Sequence, residues 1–132
     1  MTLNQVYRLL ALCLHRMPAS HPKPRLIVHE SAEAMVEYLG EPRHEFQLHR
    51  GYPSSMVVGM ADAEGNAIHM PFGAFATSDA EDVLDTLLHE IGHLHGAARH
   101  GLQSRQHQSE ALANRFARDW LRRLRGRPRR KR

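Results

Sequence analysis

Ser78-Asp79-Ala80-Glu81-Asp82-Val83-Leu84-Asp85-Thr86-Leu87-Leu88-His89-Glu90-Ile91-Gly92-His93-Leu94-His95-Gly96 decides how this 132-residue chain is read. Ser78 with Glu81 forms a capping-box pattern, so the spacing predicts a helix that starts at Ser78. Asp79, Glu81 and Asp82 add negative charge to its first turn, where the helix dipole favours it. Val83, Leu84, Leu87, Leu88, Ile91 and Leu94 supply an apolar face, and the helix is expected to end near Gly96 or shortly after. His89 and His93, one turn apart, then project from the same side. Gly92 costs about 1 kcal/mol against alanine inside a helix, which makes sense if another backbone packs close there.

Two imidazoles at this spacing suit a tetrahedral zinc ion, with Zn2+ the expected cofactor. Glu90, beside the first histidine, is placed to accept a proton from water activated by the metal. The chain holds 11 histidines. In such a composition His-Glu-x-x-His arises by chance in roughly one sequence in twenty, so the surrounding helix carries the argument rather than the motif alone.

Zinc of this kind needs a third protein ligand and leaves a fourth position open. Glu110 is the first candidate. A last helix is read from Ser109 to about Leu124, with Ala113, Phe116, Ala117, Trp120, Leu121 and Leu124 as its apolar stripe. A loop over roughly 99–108 lets that helix fold back antiparallel and present Glu110 to the histidines. Ala113 and Ala117 are small enough for close approach, and Asn114 is placed to orient a ligand from behind. His100 is the competing candidate. The run from His89 to His100 nearly matches the longer metzincin pattern, but its third histidine falls where Arg99 stands, and no methionine follows Met70. Glu110 is favoured. His95, His100, His107 and Arg115 could each face an oxyanion, and the sequence does not choose among them.

Upstream, Leu3–Met17 reads as a helix with Leu3, Val6, Leu10 and Leu14 near one face. Pro18, Pro22 and Pro24 break the chain, and Arg25–His29 is a short strand. Ser31 caps a helix through Leu39 that Gly40 ends. Residues 41–53 are polar, with room for a strand around Phe46 and Leu48. Ser55–Ala61 and Ala67–Met70 read as a hairpin about Glu64-Gly65-Asn66, with Pro71 ending the second strand.

Composition bounds the class. One domain fits this length. Cys13 is the single cysteine, so no intrachain disulfide forms and a reducing cytoplasm is the default. In its apolar run it reads as a small buried hydrophobe. No stretch approaches the ~20 apolar residues needed to span a bilayer, so no membrane partner is expected. Arg8, His15 and Arg16 flank the first apolar run, which reads as an amphipathic helix rather than a leader. The net charge of +4 belongs to the end of the chain: Leu121–Arg132 holds eight basic residues and no acid, and the rest has 10 Lys+Arg against 14 Asp+Glu. The organisation expected is a metal-site domain over 1–121 and a solvated, disordered basic tail over 122–132. That tail could make a weak nucleic-acid contact.

Leu87-Leu88-His89-Glu90-Ile91-Gly92-His93-Leu94, followed by Glu110-Ala111-Leu112-Ala113-Asn114-Arg115-Phe116-Ala117, resembles the ImmA/IrrE family of zinc metallopeptidases. The second block is the more telling, since the zinc motif alone does not require it. The resemblance covers about residues 55–121. It implies an α+β fold: a minimal zincin-like single domain, with a small mixed β-sheet packed on the metal helix and the following C-terminal helix. It implies His89, His93 and Glu110 as ligands and Glu90 as catalytic base. It also implies a protein or peptide substrate, typically a DNA-binding transcriptional repressor, and Asn66–Met70 as the edge strand that would pair with it. Two alternatives from other classes remain at this point. One is a metal-dependent endoribonuclease with a three-histidine site, which the basic tail would suit. The other is a non-catalytic binding module in which the metal only stabilises the fold.

Overall fold

A computed structural model describes residues 2–39, 59–72, 79–101 and 109–126. Among these are four helices and three strands: α1 (Leu3–Arg16), β1 (Arg25–His29), α2 (Ala32–Leu39), β2 (Met60–Asp62), β3 (Ala67–Pro71), α3 (Ala80–His100) and α4 (Glu110–Leu124). The fold is α+β, and its sheet is mixed. Strand order is β1-β3-β2, with β1 parallel and β2 antiparallel to β3.

Alternation along the strands sends side chains to two faces. Leu26, Val28, Ile68 and Met70 point into the main core, where they meet Val6, Leu10 and Cys13 of α1, Val83, Leu87, Leu88 and Ile91 of α3, and Ala117 and Trp120 of α4. His29 and His69 alternate with those residues and lie on the other face, against Tyr38 of α2. Burial pushes the Cys13 thiol up to about 12, in keeping with its reading as a core hydrophobe.

The β2–β3 hairpin closes as its turn residues direct. Asp62 Oδ1 accepts from the Gly65 amide at 3.1 Å. Asn66 takes a left-handed φ of 51°, which asparagine tolerates better than most residues.

Several expectations are corrected. β3 is the central strand of the sheet, not an edge, because β1 occupies the side that a local reading leaves open. Strand β2 starts at Met60 and reaches Asp62. Residues 55–58 of the expected strand lie outside the described residues, as do Phe46, Leu48, the Glu41–Pro53 stretch and His107. The cap of α3 is Asp79, whose side chain accepts from the Asp82 amide at 2.9 Å; Ser78 is outside the described residues. α3 runs through Gly96 to His100, because buried Leu94 and Ala97 hold its last turns to the core. Gly101, with φ 94°, is the stop. In α1 the buried face is Val6, Leu10 and Cys13, continued by Met17 at the C-cap, while Leu3 is exposed. α4 ends at Leu124, as its apolar stripe led one to expect, so Arg122 and Arg123 are helical. Among the described residues no helix is long and apolar enough to cross a membrane.

Candidate metal centre

Helices α3 and α4 pack antiparallel, and Gly92 sets how closely. A Cβ at Gly92 would stand 3.1 Å from both Ala113 Cα and Phe116 Cβ, so glycine on one helix and alanine on the other let the backbones nearly touch. Buried Ala113 and Ala117 continue that seam.

The close approach brings three donors together. Ser109 caps α4 by accepting from the Leu112 amide at 3.1 Å, which fixes Glu110 as the first helical residue. The positive end of the helix dipole then favours its carboxylate. Glu110 Oε1 lies 2.9 Å from His89 Nε2, and Oε2 lies 3.3 Å from His93 Nε2. The ligand atoms of His89, His93 and Glu110 all fall within 4.8 Å of one another. The two imidazoles stand edge to face, 79° apart.

Behind the first histidine, His89 Nδ1 lies 2.8 Å from Asn114 Oδ1. An amide oxygen only accepts, so Nδ1 carries a proton and donates it to Asn114. Nε2 is then the nitrogen that faces the Glu110 carboxylate, where a shared proton or a bound cation would join the two. Two imidazole nitrogens and one carboxylate are a donor set that zinc accepts, with a fourth position left over. The residues therefore fit a metal ion, and the donor set is compatible with more than one divalent metal.

Glu90 is 1% exposed, on the same helix one residue after His89. Gly59, the residue that leads into β2, brings its backbone beside this carboxylate: a Cβ there would lie 3.6 Å from Glu90 Cγ and 3.3 Å from Thr86 Cγ2. That contact links the start of β2 to the metal helix and had no signal in the sequence beyond the glycine itself.

The other candidates separate. His100 sits exposed in the last turn of α3 and is outside the three-residue group. The His95 ring stacks on His21 at 4.4 Å and tilts against Phe116, which commits it to the α3–α4 seam. Arg115 is exposed on α4 beside Asn114.

A second polar cluster was not foreseen. His29 Nε2 and His69 Nδ1 are 2.9 Å apart, and His69 Nε2 lies 3.8 Å from Asp62 Oδ2. Burial lowers the pKa of His69, with His29 adding to the shift and Asp62 opposing it; burial also lowers that of His29. Strand alternation could have placed the two histidines on one face, but their pairing depends on the β1–β3 register.

No known family, curated protein or solved structure matches this chain.

Proposed function

We propose that this chain is a zinc-dependent endopeptidase of minimal zincin type, as its resemblance to the ImmA/IrrE peptidases implies. The observation that carries this reading is the convergence of His89, His93 and Glu110 beside a buried carboxylate, Glu90, from two helices whose approach Gly92 permits. Zinc bound by those three residues would supply Lewis acidity, polarising a peptide carbonyl and making hydroxide available at neutral pH.

The protein's own part is positional and acid–base. Glu90 takes the proton of the attacking water, whose oxygen adds to the scissile carbonyl carbon. The same carboxyl gives that proton to the departing amine nitrogen as the C–N bond breaks. Asn114 holds His89 in the tautomer that a ligand needs. An extended substrate would add to the outer edge of β2, which no described strand covers and which starts beside Glu90. Repressor-type DNA-binding proteins are the substrate class to try first.

The test compares the zinc-loaded chain with Glu90→Gln on repressor-type proteins and on RNA, reading new protein termini by mass spectrometry. New termini from the wild type and none from a Glu90→Gln protein that keeps its metal would support the peptidase. Cleaved RNA with intact protein would favour the endoribonuclease. No product of either kind would leave a metal-stabilised module.

A further inference from the structure

Charge divides this chain sharply. Residues 1–108 carry 8 Lys+Arg and 12 Asp+Glu, whereas residues 109–132 carry 10 Lys+Arg and 2 Asp+Glu. Half of those ten, Arg115, Arg118, Arg122, Arg123 and Arg125, lie in α4 or at its end, on folded backbone. At 100° per residue, Arg115, Arg118, Arg122 and Arg125 fall within an arc of about 80° on one side of the helix, and from first to last they span about 15 Å. All four are exposed. Arg122 pairs with Asp119 at 2.7 Å, and Arg125 pairs with Glu81. Arg115 and Arg118 make no ion pair among the described residues.

We propose that this face of α4 is a docking surface for the phosphate backbone of double-stranded DNA. The inference is independent of the peptidase reading. Nine of the ten basic residues in 109–132 are arginine, whose planar fork matches phosphate oxygens two at a time. The stripe is straight and rigid, as is a duplex, which offers one charge per ~1.7 Å of axis. A single-stranded nucleic acid is held largely by stacking on aromatics. The aromatics of α4, Phe116 and Trp120, face inward, against His21. A membrane surface calls for apolar side chains to insert. Leu112 is the one large exposed apolar residue of α4. The stripe begins at Arg115, beside Asn114, so a docked duplex would pass close to the metal centre.

The experiment measures binding of the full chain to a fluorescent 20-base-pair duplex across a salt series, wild type beside Arg115→Gln/Arg118→Gln. Both proteins keep every arginine of the last eleven residues, so the difference reads α4 alone. Each phosphate contact contributes about 0.9 to the slope of log K against log salt. The double variant is therefore expected to lose about 1.8 of slope and to bind roughly tenfold more weakly per arginine at 0.1 M salt. Unchanged circular dichroism and metal content would show that the fold is kept. Equal slopes for the two proteins would overturn the proposal and leave duplex binding to the tail. Tighter binding to single-stranded RNA of equal length, or to phosphatidylserine vesicles, would overturn it in favour of those partners, and absence of duplex binding would overturn it outright.

Discussion

His89 Nδ1 and Asn114 Oδ1 meet at 2.8 Å across the α3–α4 seam, so a residue on one helix sets the proton position of a candidate ligand on the other. Partners that orient a ligand in this way typically contribute 10–100-fold to metal affinity. Asn114→Ala is expected to weaken zinc binding by about that factor, measured by competition against a chromophoric chelator. The unfolding free energy of the metal-free protein should fall by about 0.5–1.5 kcal/mol, the worth of the one hydrogen bond to His89. A loss of stability without a loss of affinity would reverse its assignment.

Gly92→Ala separates two opposing effects. Alanine gains up to ~1 kcal/mol of helix propensity. Overpacking costs about 1–3 kcal/mol, and two of the three nearest atoms are the Cα and carbonyl oxygen of Ala113, which move only if α4 moves. The net expectation is a loss of about 1 kcal/mol in urea unfolding, together with weaker metal binding as Glu110 is pushed away from the histidines. Increased stability with unchanged affinity would mean the seam has slack.

That glycine shows what the sequence revealed. Its poor helix propensity inside a periodic helix signalled a close neighbour, and the neighbour is the Ala113 backbone. The placement of Glu110 and Asn114 was legible for the same reason: one helix period places them, and helices α3 and α4 carry the clearest periods in the chain. The middle position of β3 was not legible. β1 pairs with it across about forty residues of sequence, and nothing local marks a strand as central when it is five residues long. The choice of Asp79 over Ser78 as cap was not legible either, since both side chains can accept from an amide two or three residues on. His21 stacking on His95, and His29 meeting His69, are products of tertiary register and leave no trace in spacing.

The histidine pair on the outer face of the sheet gives a pH dependence. His69 of β3 faces His29 and Arg25 from β1, Asp62 from β2 and Tyr38 from α2. Burial lowers the pKa of both histidines below the ordinary 6.5. The unfolded chain thus binds more protons over that interval, and stability rises with pH. The contribution is complete above about pH 6.5 and is lost as pH falls through 6.5 towards the folded-state values. His21, also lowered by burial, acts in the same direction. Urea midpoints at pH 8, 6.5 and 5, taken with chelator so that metal loss does not enter, should fall steadily, and less steeply in His69→Gln. An equal slope in the variant would remove the pair from the account.

Cys13 is fully buried and its thiol is held near 12, so almost no thiolate exists at pH 8. A thiol reagent at that pH should label the native protein no faster than the chain unfolds, and should label it at once in urea. Rapid labelling of the native protein would place α1 loose on the core.

Metal binding itself distinguishes Glu110 from His100. An ion that binds the folded chain alone stabilises it by RT ln(1 + [L]/Kd), about 2.7 kcal/mol at a hundredfold excess over Kd. For a domain of this size that is a rise in Tm on the order of 10 °C. Glu110 has its two oxygens 2.9 and 3.3 Å from the two histidines, while His100 is exposed at the far end of α3, so the shift should collapse in Glu110→Ala and persist in His100→Ala. Removing Glu110 also withdraws a negative charge from two imidazoles, so the metal-free variant must be compared with its own metal-loaded form and not with the wild type. A zinc shift that survives Glu110→Ala and disappears in His100→Ala would mean the last turn of α3 folds back over the site. It would also hand the chemistry to a three-histidine centre, for which Glu90 need not be a base.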